Sequence, residues 1–296
     1  MTLKQLRYLL AVIEGEMNIS SAARALYVSQ AAVSKQIKLL EEELGVQLFL
    51  RQGKKMAAIT QAGHEIRSVA EKMTRDAENI KRISKDVNEE AGGRITIAAT
   101  HTQTCYTLPD VIEKFLLRYP SVQIEIRQGT PTECAEWVAS GKSDVCISTE
   151  VMEEFRGIEI LPYYQWHRCV IAPPGHKLTR CRLLNLKAVA AYPIITYGAI
   201  LEPNSKIRRA FAAENLNPTV LLTTQDSDVI KTYVRRGFGI GIISELAVRE
   251  DNAKLKVLDA SRLFEPSTAA LGIRRGHYVG RHLGYFIKLC VPDIEL

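Results

Sequence analysis

The first 90 residues of this 296-residue chain contain no cysteine and no proline; all 6 cysteines and all 11 prolines lie beyond residue 100. The chain therefore has two differently built parts. No run of about 18 apolar residues occurs, which excludes a membrane-spanning helix. The stretch MTLKQLRYLLAVIEGE has an apolar part, but Glu14 and Glu16 follow it without a small-residue cleavage site, which argues against a secretory signal. Together these absences predict a cytoplasmic protein with no membrane partner. No cysteine pair has C-x-x-C spacing and no cysteine is flanked by histidines at zinc spacing. Reduced thiols, no metal and no cofactor are the expectation. G-x-S-x-G, H-E-x-x-H and phosphate-loop motifs are missing too, and no acid, base and nucleophile can be grouped, so an enzyme is not expected. What is present is ordinary: 46% hydrophobic and 24% charged residues, as in a globular chain of two or three domains. The net charge of +6 permits nucleic-acid binding without establishing it.

Residues 1–89 read as almost wholly helical. Leu3, Leu6, Leu10 and Ile13 recur at helical spacing, and Gly15 and Asn18 break the pattern. Ser20 or Ser21 caps a short second helix, Ala22 to Leu26. Tyr27 and Val28 turn the chain. Ser29 caps a third helix with Val33, Ile37, Leu40 and Leu44 on its apolar face, stopped by Gly45. VQLFLRQGKKMAAIT reads as a hairpin turning at Gln52-Gly53. Thr60 then caps a helix over 61–89 with a narrow stripe of Ile66, Val69, Met73, Ala77, Ile80, Ile83 and Val87, near the seam of a coiled coil. Such a stripe predicts contact with a second helix; docking on its own domain is the alternative.

The strongest local chemistry is a helix–turn–helix. Small residues Ala22 and Ala23 stand where two helices must cross. Ser29, Gln30, Ser34, Lys35 and Gln36 start the second helix, where base edges and phosphates are reached. The acidic run Glu41 to Glu43 falls at the far end, where it is expected to point away from DNA. Arg51, Lys54 and Lys55 gather three cations on one hairpin tip, as in a wing on the phosphate backbone. A plain helical hairpin with a solvated polar face is the bland alternative.

After Ala91-Gly92-Gly93 the chain alternates strands and helices. RITIAAT, SVQIEIRQG and SDVCIST are strands separated by helices over Leu108 to Tyr119 and Thr132 to Ser140. A second set runs from CVIAPP to GIGII, and ALGIRRG with HYVGRHLGYFIKLC closes as strand and helix. This is βαβ arithmetic for two tandem, mostly parallel, helix-covered sheets.

With these residues in view, the chain resembles the LysR-type transcriptional regulators. The matches are Ala22-Ala23, Ser29-Gln30, Ala32 to Ile37, Leu40-Glu41, Leu44-Gly45, Leu48-Phe49, Arg51, Thr60 and Ala62-Gly63. Ala31 stands where the family often has proline. The resemblance implies a winged helix–turn–helix over 1–60 and a linker and dimerisation helix over 61–91. It also implies a periplasmic-binding-protein-like effector domain over 92–296, with subdomain I near 92–164 and 267–296 and subdomain II near 165–266. Ala99 to Gln103, the Trp166 region and Asp226 to Gly241 resemble the CysB-like branch, regulators of cysteine and sulfur genes whose chains extend beyond the end of this one. Implied partners are double-stranded DNA with dyad symmetry, further copies of the chain as homodimer or homotetramer, a small-molecule effector and RNA polymerase. The implied effector is O-acetylserine or N-acetylserine, with sulfate or thiosulfate as competing anions. A regulator of alternative sulfur sources or of another small acid is the near alternative; a solute-binding protein or an enzyme fused to a DNA-binding module is remote.

The sensor reading also has a basis in the residues. Thr100, Thr102 and Gln103 stand where a strand ends and a helix begins, the ligand edge of a parallel sheet, and Thr149 ends another strand. Free amides at a helix start favour an anion; ordinary helix capping is the alternative. Trp166 follows a crossover expected near Tyr163-Tyr164, and the resemblance puts it in the pocket. Glu202 falls where the related branch has a pocket threonine. Inside the cleft it would disfavour sulfate and favour an ammonium-bearing ligand; the alternative is that it faces solvent. His101 reads as structural or solvent-facing, and Asp226 and Asp228 as helix caps. Gly237, Gly239 and Gly241 follow a helix instead of preceding one, so they read as a helix stop and close strand packing.

Overall fold

A computed structural model describes residues 1–52, 55–88, 93–149, 155, 157–201, 205–248 and 254–294. Lys54 and Glu202 lie outside these residues, and of Lys55 only the backbone is described. The chain divides into two units. One holds residues 1–88 with 276–278, and the other holds the rest.

In the first unit, α1 (Leu3–Glu14) buries Leu6, Leu9 and Val12, one face at three- and four-residue steps. Helix α2 (Ile19–Ala25) begins three residues before the expected Ala22. Asn18 is its cap, with Oδ1 accepting from the amides of Ser20 at 2.9 Å and Ser21 at 3.1 Å. The residue that breaks the first helical pattern thus starts the second helix, because its short side chain reaches back to orphan amides from an extended backbone. Tyr27 makes the turn at φ 54°. Helix α3 (Gln30–Leu44) is capped by Ser29, which accepts from Ala32 N at 3.2 Å, and ends at left-handed Gly45. Ala22 and Ala23 are buried in one core with Val33, Ile37 and Leu40. Strands β1 (Phe49–Gln52) and β2 (Lys55–Ile59) pair antiparallel, with Phe49 opposite Ile59.

The acidic run does not all point away. Glu41 is 5% exposed. Its Oε1 accepts from Leu48 N at 2.9 Å and Phe49 N at 3.3 Å, and its Oε2 accepts from Arg51 Nη2 at 2.7 Å. One carboxylate therefore fixes the start of the hairpin to α3. Glu42, by contrast, meets Lys38 on the surface.

Thr60 starts α4 (Gln61–Asn88), accepting from Gly63 N at 3.0 Å while donating to Gln47 O at 2.7 Å. Gly63 is required there: a Cβ would stand 2.4 Å from Leu48 O. The 28 residues of α4 span about 42 Å. Ala70 and Thr74 are buried in this unit and Ile66 packs against its core. Of the rest of the expected stripe, Val69 is 57%, Met73 39%, Ile80 68% and Ile83 42% exposed, Ala77 is half-buried, and the side chain of Val87 lies outside the described residues.

The second unit contains two five-stranded sheets. The first has the order β4-β3-β5-β12-β6, from β3 (Gly93–Ala99), β4 (Val122–Gln128), β5 (Val145–Thr149), β6 (Ile158–Trp166) and β12 (Ser267–Arg274). The second has the order β11-β7-β10-β8-β9, from β7 (Arg168–Ala172), β8 (Ile194–Tyr197), β9 (Val220–Thr224), β10 (Ile240–Ser244) and β11 (Lys256–Asp259). Helices α5 (His101–Tyr106), α6 (Leu108–Arg118), α7 (Pro131–Ala139) and α11 (Arg281–Cys290) belong with the first sheet. Helices α8 (Leu186–Ala190), α9 (Lys206–Ala213) and α10 (Ser227–Arg235) belong with the second.

The expected mostly parallel sheets each contain one antiparallel strand. β12 pairs antiparallel with β5 and β6, and β7 pairs antiparallel with β10 and β11. In each sheet a single strand opposes the other four. These are the two strands by which the chain arrives from the other sheet. The remaining strands of both sheets end on a shared cleft, so a strand coming from that cleft must run the opposite way. The first crossing is also later than expected: β6 continues through Tyr163 and Tyr164, and the chain passes over at His167.

Replacing Glu41 by alanine should destabilise the first unit by about 3 kcal/mol, since it strands two amides and a guanidinium at once. Urea denaturation would measure this, and hydrogen exchange at the Leu48 and Phe49 amides should lose protection. Glu42→Ala should stay within about 0.5 kcal/mol of the wild type.

Candidate functional site

The carboxyl ends of both sheets line a cavity of about 360 Å³. Thr100, Thr102 and Gln103 come from the β3–α5 junction, Thr149 from the end of β5 and Trp166 from the end of β6. From the other lobe come Arg168 at the start of β7, Tyr197 at the end of β8 and Gln225 after β9. All five described residues of the expected effector set thus reach one space; Glu202, the sixth, lies outside the described residues.

Thr100 is the N-cap residue of α5 yet makes no side-chain cap bond. The side-chain capping alternative is therefore not realised at Thr100. Gln103 is buried, and its Oε1 accepts from Tyr164 Oη at 2.7 Å. With that oxygen engaged, what the side chain has left is its N–H donors. Trp166 Nε1 donates to Thr149 Oγ1 at 3.2 Å, which orients the indole as a wall. Tyr197 Oη accepts from Ser244 N at 3.3 Å and lies 3.5 Å from Thr102 Oγ1. Burial pushes the Tyr197 phenol up, with smaller opposing effects from its hydrogen bonds, so it stays neutral.

The feature absent from the sequence reading is Arg168. Its guanidinium lies 4.9 Å from the Trp166 ring centre, and Nη1 donates to Ser267 Oγ at 2.9 Å and Glu265 O at 3.4 Å. It was legible only as a charge just before the apolar run CVIA. Neutral hydroxyl and amide donors plus one buried guanidinium, beside an indole, suit a small anion better than a cation.

His101 does not face solvent. It is 8% exposed, with Nε2 3.1 Å from Asp226 Oδ1 and Nδ1 3.3 Å from Ser227 Oγ, across the cleft. Asp226 caps α10 as expected, accepting from Asp228 N at 2.7 Å and Val229 N at 3.3 Å. The glycine run behaves as a helix stop and close packing: Gly237 has φ 79°, and a Cβ on Gly239 would stand 2.3 Å from Pro193 O.

In the first unit, Ser29, Gln30 and Lys35 are exposed at the start of α3, with Ser34 and Gln36 half-buried on the same turns. Arg51 is also exposed, and its guanidinium pairs with Glu41 at 2.7 Å.

A helix–turn–helix unit and a two-lobed sensor with a cleft for a small ligand define a ligand-responsive DNA-binding regulator. Residues 3–64 match the bacterial regulatory helix-turn-helix protein, lysR family, and residues 88–293 match the LysR substrate binding domain. The chain belongs to the LysR family of transcriptional regulators; its relatives are regulators and not enzymes. It is 39% identical over 296 residues to the HTH-type transcriptional regulator SsuR of Burkholderia cenocepacia, covering 100% of this chain and 96% of that one. It is 36% identical over 296 residues to the HTH-type transcriptional regulator CysB of the same organism, covering 100% and 95%. The crystal structure of the cofactor-binding domain of the Cbl transcriptional regulator superposes with a TM-score of 0.66 at 38% identity, over 69% of this chain and 90% of that one. Among the described residues no helix is long and apolar enough to cross a membrane.

Proposed function

We propose that this regulator controls genes of sulfur assimilation and cysteine synthesis in response to O-acetylserine or N-acetylserine, with sulfate or thiosulfate competing for the same cavity. The observation that carries this reading is the lining itself: Thr100, Thr102, Gln103 and Trp166, from stretches by which the sequence resembles the CysB-like branch, share one space with the strand-end Thr149 and a buried arginine. The effector's carboxylate meets the hydroxyl and amide donors and Arg168, while its acetyl group meets the indole. Similarity to SsuR and CysB over the whole chain supports the same branch. The ligand acts on DNA binding only through its different affinity for open and closed arrangements of the two lobes.

Ser29, Gln30, Ser34, Lys35 and Gln36 enter the major groove in this reading, and Lys54 and Lys55 approach phosphates. Arg51 holds the wing through Glu41. The exposed side of α4 pairs with the same helix of a second copy, and two such dimers form the homotetramer. A dimer presents two recognition helices to a dyad site, and bound near a promoter it can touch RNA polymerase.

Gel shifts on the DNA upstream of the chain's own operon test the first part. Gln36→Ala should weaken specific binding more than binding to random DNA. Lys35→Ala should weaken both and lower the salt slope by about one unit. Unchanged affinity in both variants would remove α3 from the groove. For assembly, sedimentation of a chain with Met73→Asp and Ile80→Asp should show a smaller species, because two charges would enter an apolar seam; the wild-type mass would rule the helix pairing out.

Calorimetric titration tests the effector. O-Acetylserine should bind more tightly than N-acetylserine and sulfate if the Glu202 carboxylate reaches the ligand's ammonium group, and Glu202→Thr should erase that preference and strengthen sulfate binding. Trp166→Ala should weaken all three. Equal affinities in wild type and Glu202→Thr would take Glu202 out of the pocket while leaving the Trp166 result to decide the cavity.

A further inference from the structure

Beside the cavity, three side chains that the sequence separates by 125 residues converge on one point. His101 Nε2, from α5 of the first lobe, lies 3.1 Å from Asp226 Oδ1 and 3.8 Å from Asp228 Oδ2, both at the start of α10 in the second lobe. These donor atoms all lie within 4.8 Å of one another. We propose that His101, Asp226 and Asp228 form a zinc site that joins the two lobes, with water completing the shell.

The geometry fits this ion. Zinc bonds to nitrogen and oxygen run about 2.0–2.2 Å, so the donors of a tetrahedral site stand about 3.3 Å apart. The two separations from His101 lie either side of that value. The supporting contacts are those a metal histidine needs. Ser227 Oγ, 3.3 Å from Nδ1, holds the ring so that Nε2 faces the carboxylates. The backbone amides of Asp228 and Val229 donate to the same Asp226 Oδ1 and fix its position, so the ion shares that oxygen with them or takes Oδ2 of the same carboxylate.

The charges leave room for a cation. Lys231 Nζ lies 2.6 Å from Asp228 Oδ1, and Tyr106 Oη donates to the same oxygen at 3.0 Å. Both occupy the far oxygen and leave Oδ2 toward His101. Two carboxylates against one ammonium leave one negative charge, and that is the charge a divalent ion meets. Lys231 also limits affinity by repulsion, so the site binds more weakly than a closed structural zinc site. Both carboxylates are partly exposed, which gives the ion an entry path. Cys105 Sγ, 3.5 Å from Nε2, is the thiol beside the site. Because the donors come from both lobes, the ion stabilises the closed arrangement regardless of which effector occupies the cavity.

The test uses the full chain, stripped of metal and dialysed against zinc, with bound metal measured after gel filtration. Wild type should retain one zinc per chain and gain thermal stability. Asp226→Asn keeps a capping side chain on α10, so the fold persists, and it should bind zinc at least about tenfold more weakly. His101→Gln should do the same. A chain carrying both Cys105→Ser and Cys181→Ser removes the two exposed thiols and should retain the ion. Wild type without zinc, undiminished retention in Asp226→Asn and His101→Gln, or loss in the serine pair would each overturn the assignment.

Discussion

The sensor depends on one topological constraint: the chain crosses between its two sheets twice, and every other strand ends on the cleft between them. Strand β6 leaves the first sheet at Trp166, β7 starts the second at Arg168, and β12 returns at Ser267. That is why Trp166 and Arg168, two residues apart, stack on each other while belonging to different lobes. It is also why Arg168 can donate to Ser267, the first residue of the returning strand. The wall of the ligand cavity and the connection between lobes are built from the same few residues. Any change in the angle between lobes must therefore alter the cavity, which is the physical requirement for a ligand to act at a distance.

The DNA-binding unit relies on a comparable economy at smaller scale. Glu41 closes α3 against the hairpin through two backbone amides and Arg51. A recognition helix reads bases only if its angle to the wing is fixed, and a buried carboxylate with three donors fixes it more firmly than apolar packing alone. The helix that follows uses its two sides differently. Ala70 and Thr74 pack on the unit, whereas Val69, Met73, Ile80 and Ile83 remain exposed. Apolar side chains spaced along about 21 Å of helix are a costly surface to leave in water, which is why we propose that a second copy covers them.

The amino-acid sequence by itself determined the parts governed by local rules. The Ser29 cap, the Gly45 stop, the Thr60 start, the apolar faces of α1 and α3 and the strand–helix alternation all follow from backbone satisfaction and periodicity within a few residues. The cavity residues Thr100 to Gln103 and Thr149 were legible for the same reason, since strand ends of a βαβ sheet point to one edge. Trp166 and the branch of the family rested on resemblance. Only tertiary structure decided the rest. Asn18 as a cap was obscured by two better-placed serines. Glu41 looked like one of three surface acids until its partners Leu48, Phe49 and Arg51 folded over it. His101 read as structural or solvent-facing because Asp226 and Ser227 lie more than a hundred residues away. The direction of β7 and β12 was hidden because strand patterns carry no sign. Asn18 apart, the deciding partner lies outside the local pattern, and neither propensity nor periodicity carries information about a partner that only the closed fold brings within hydrogen-bonding distance.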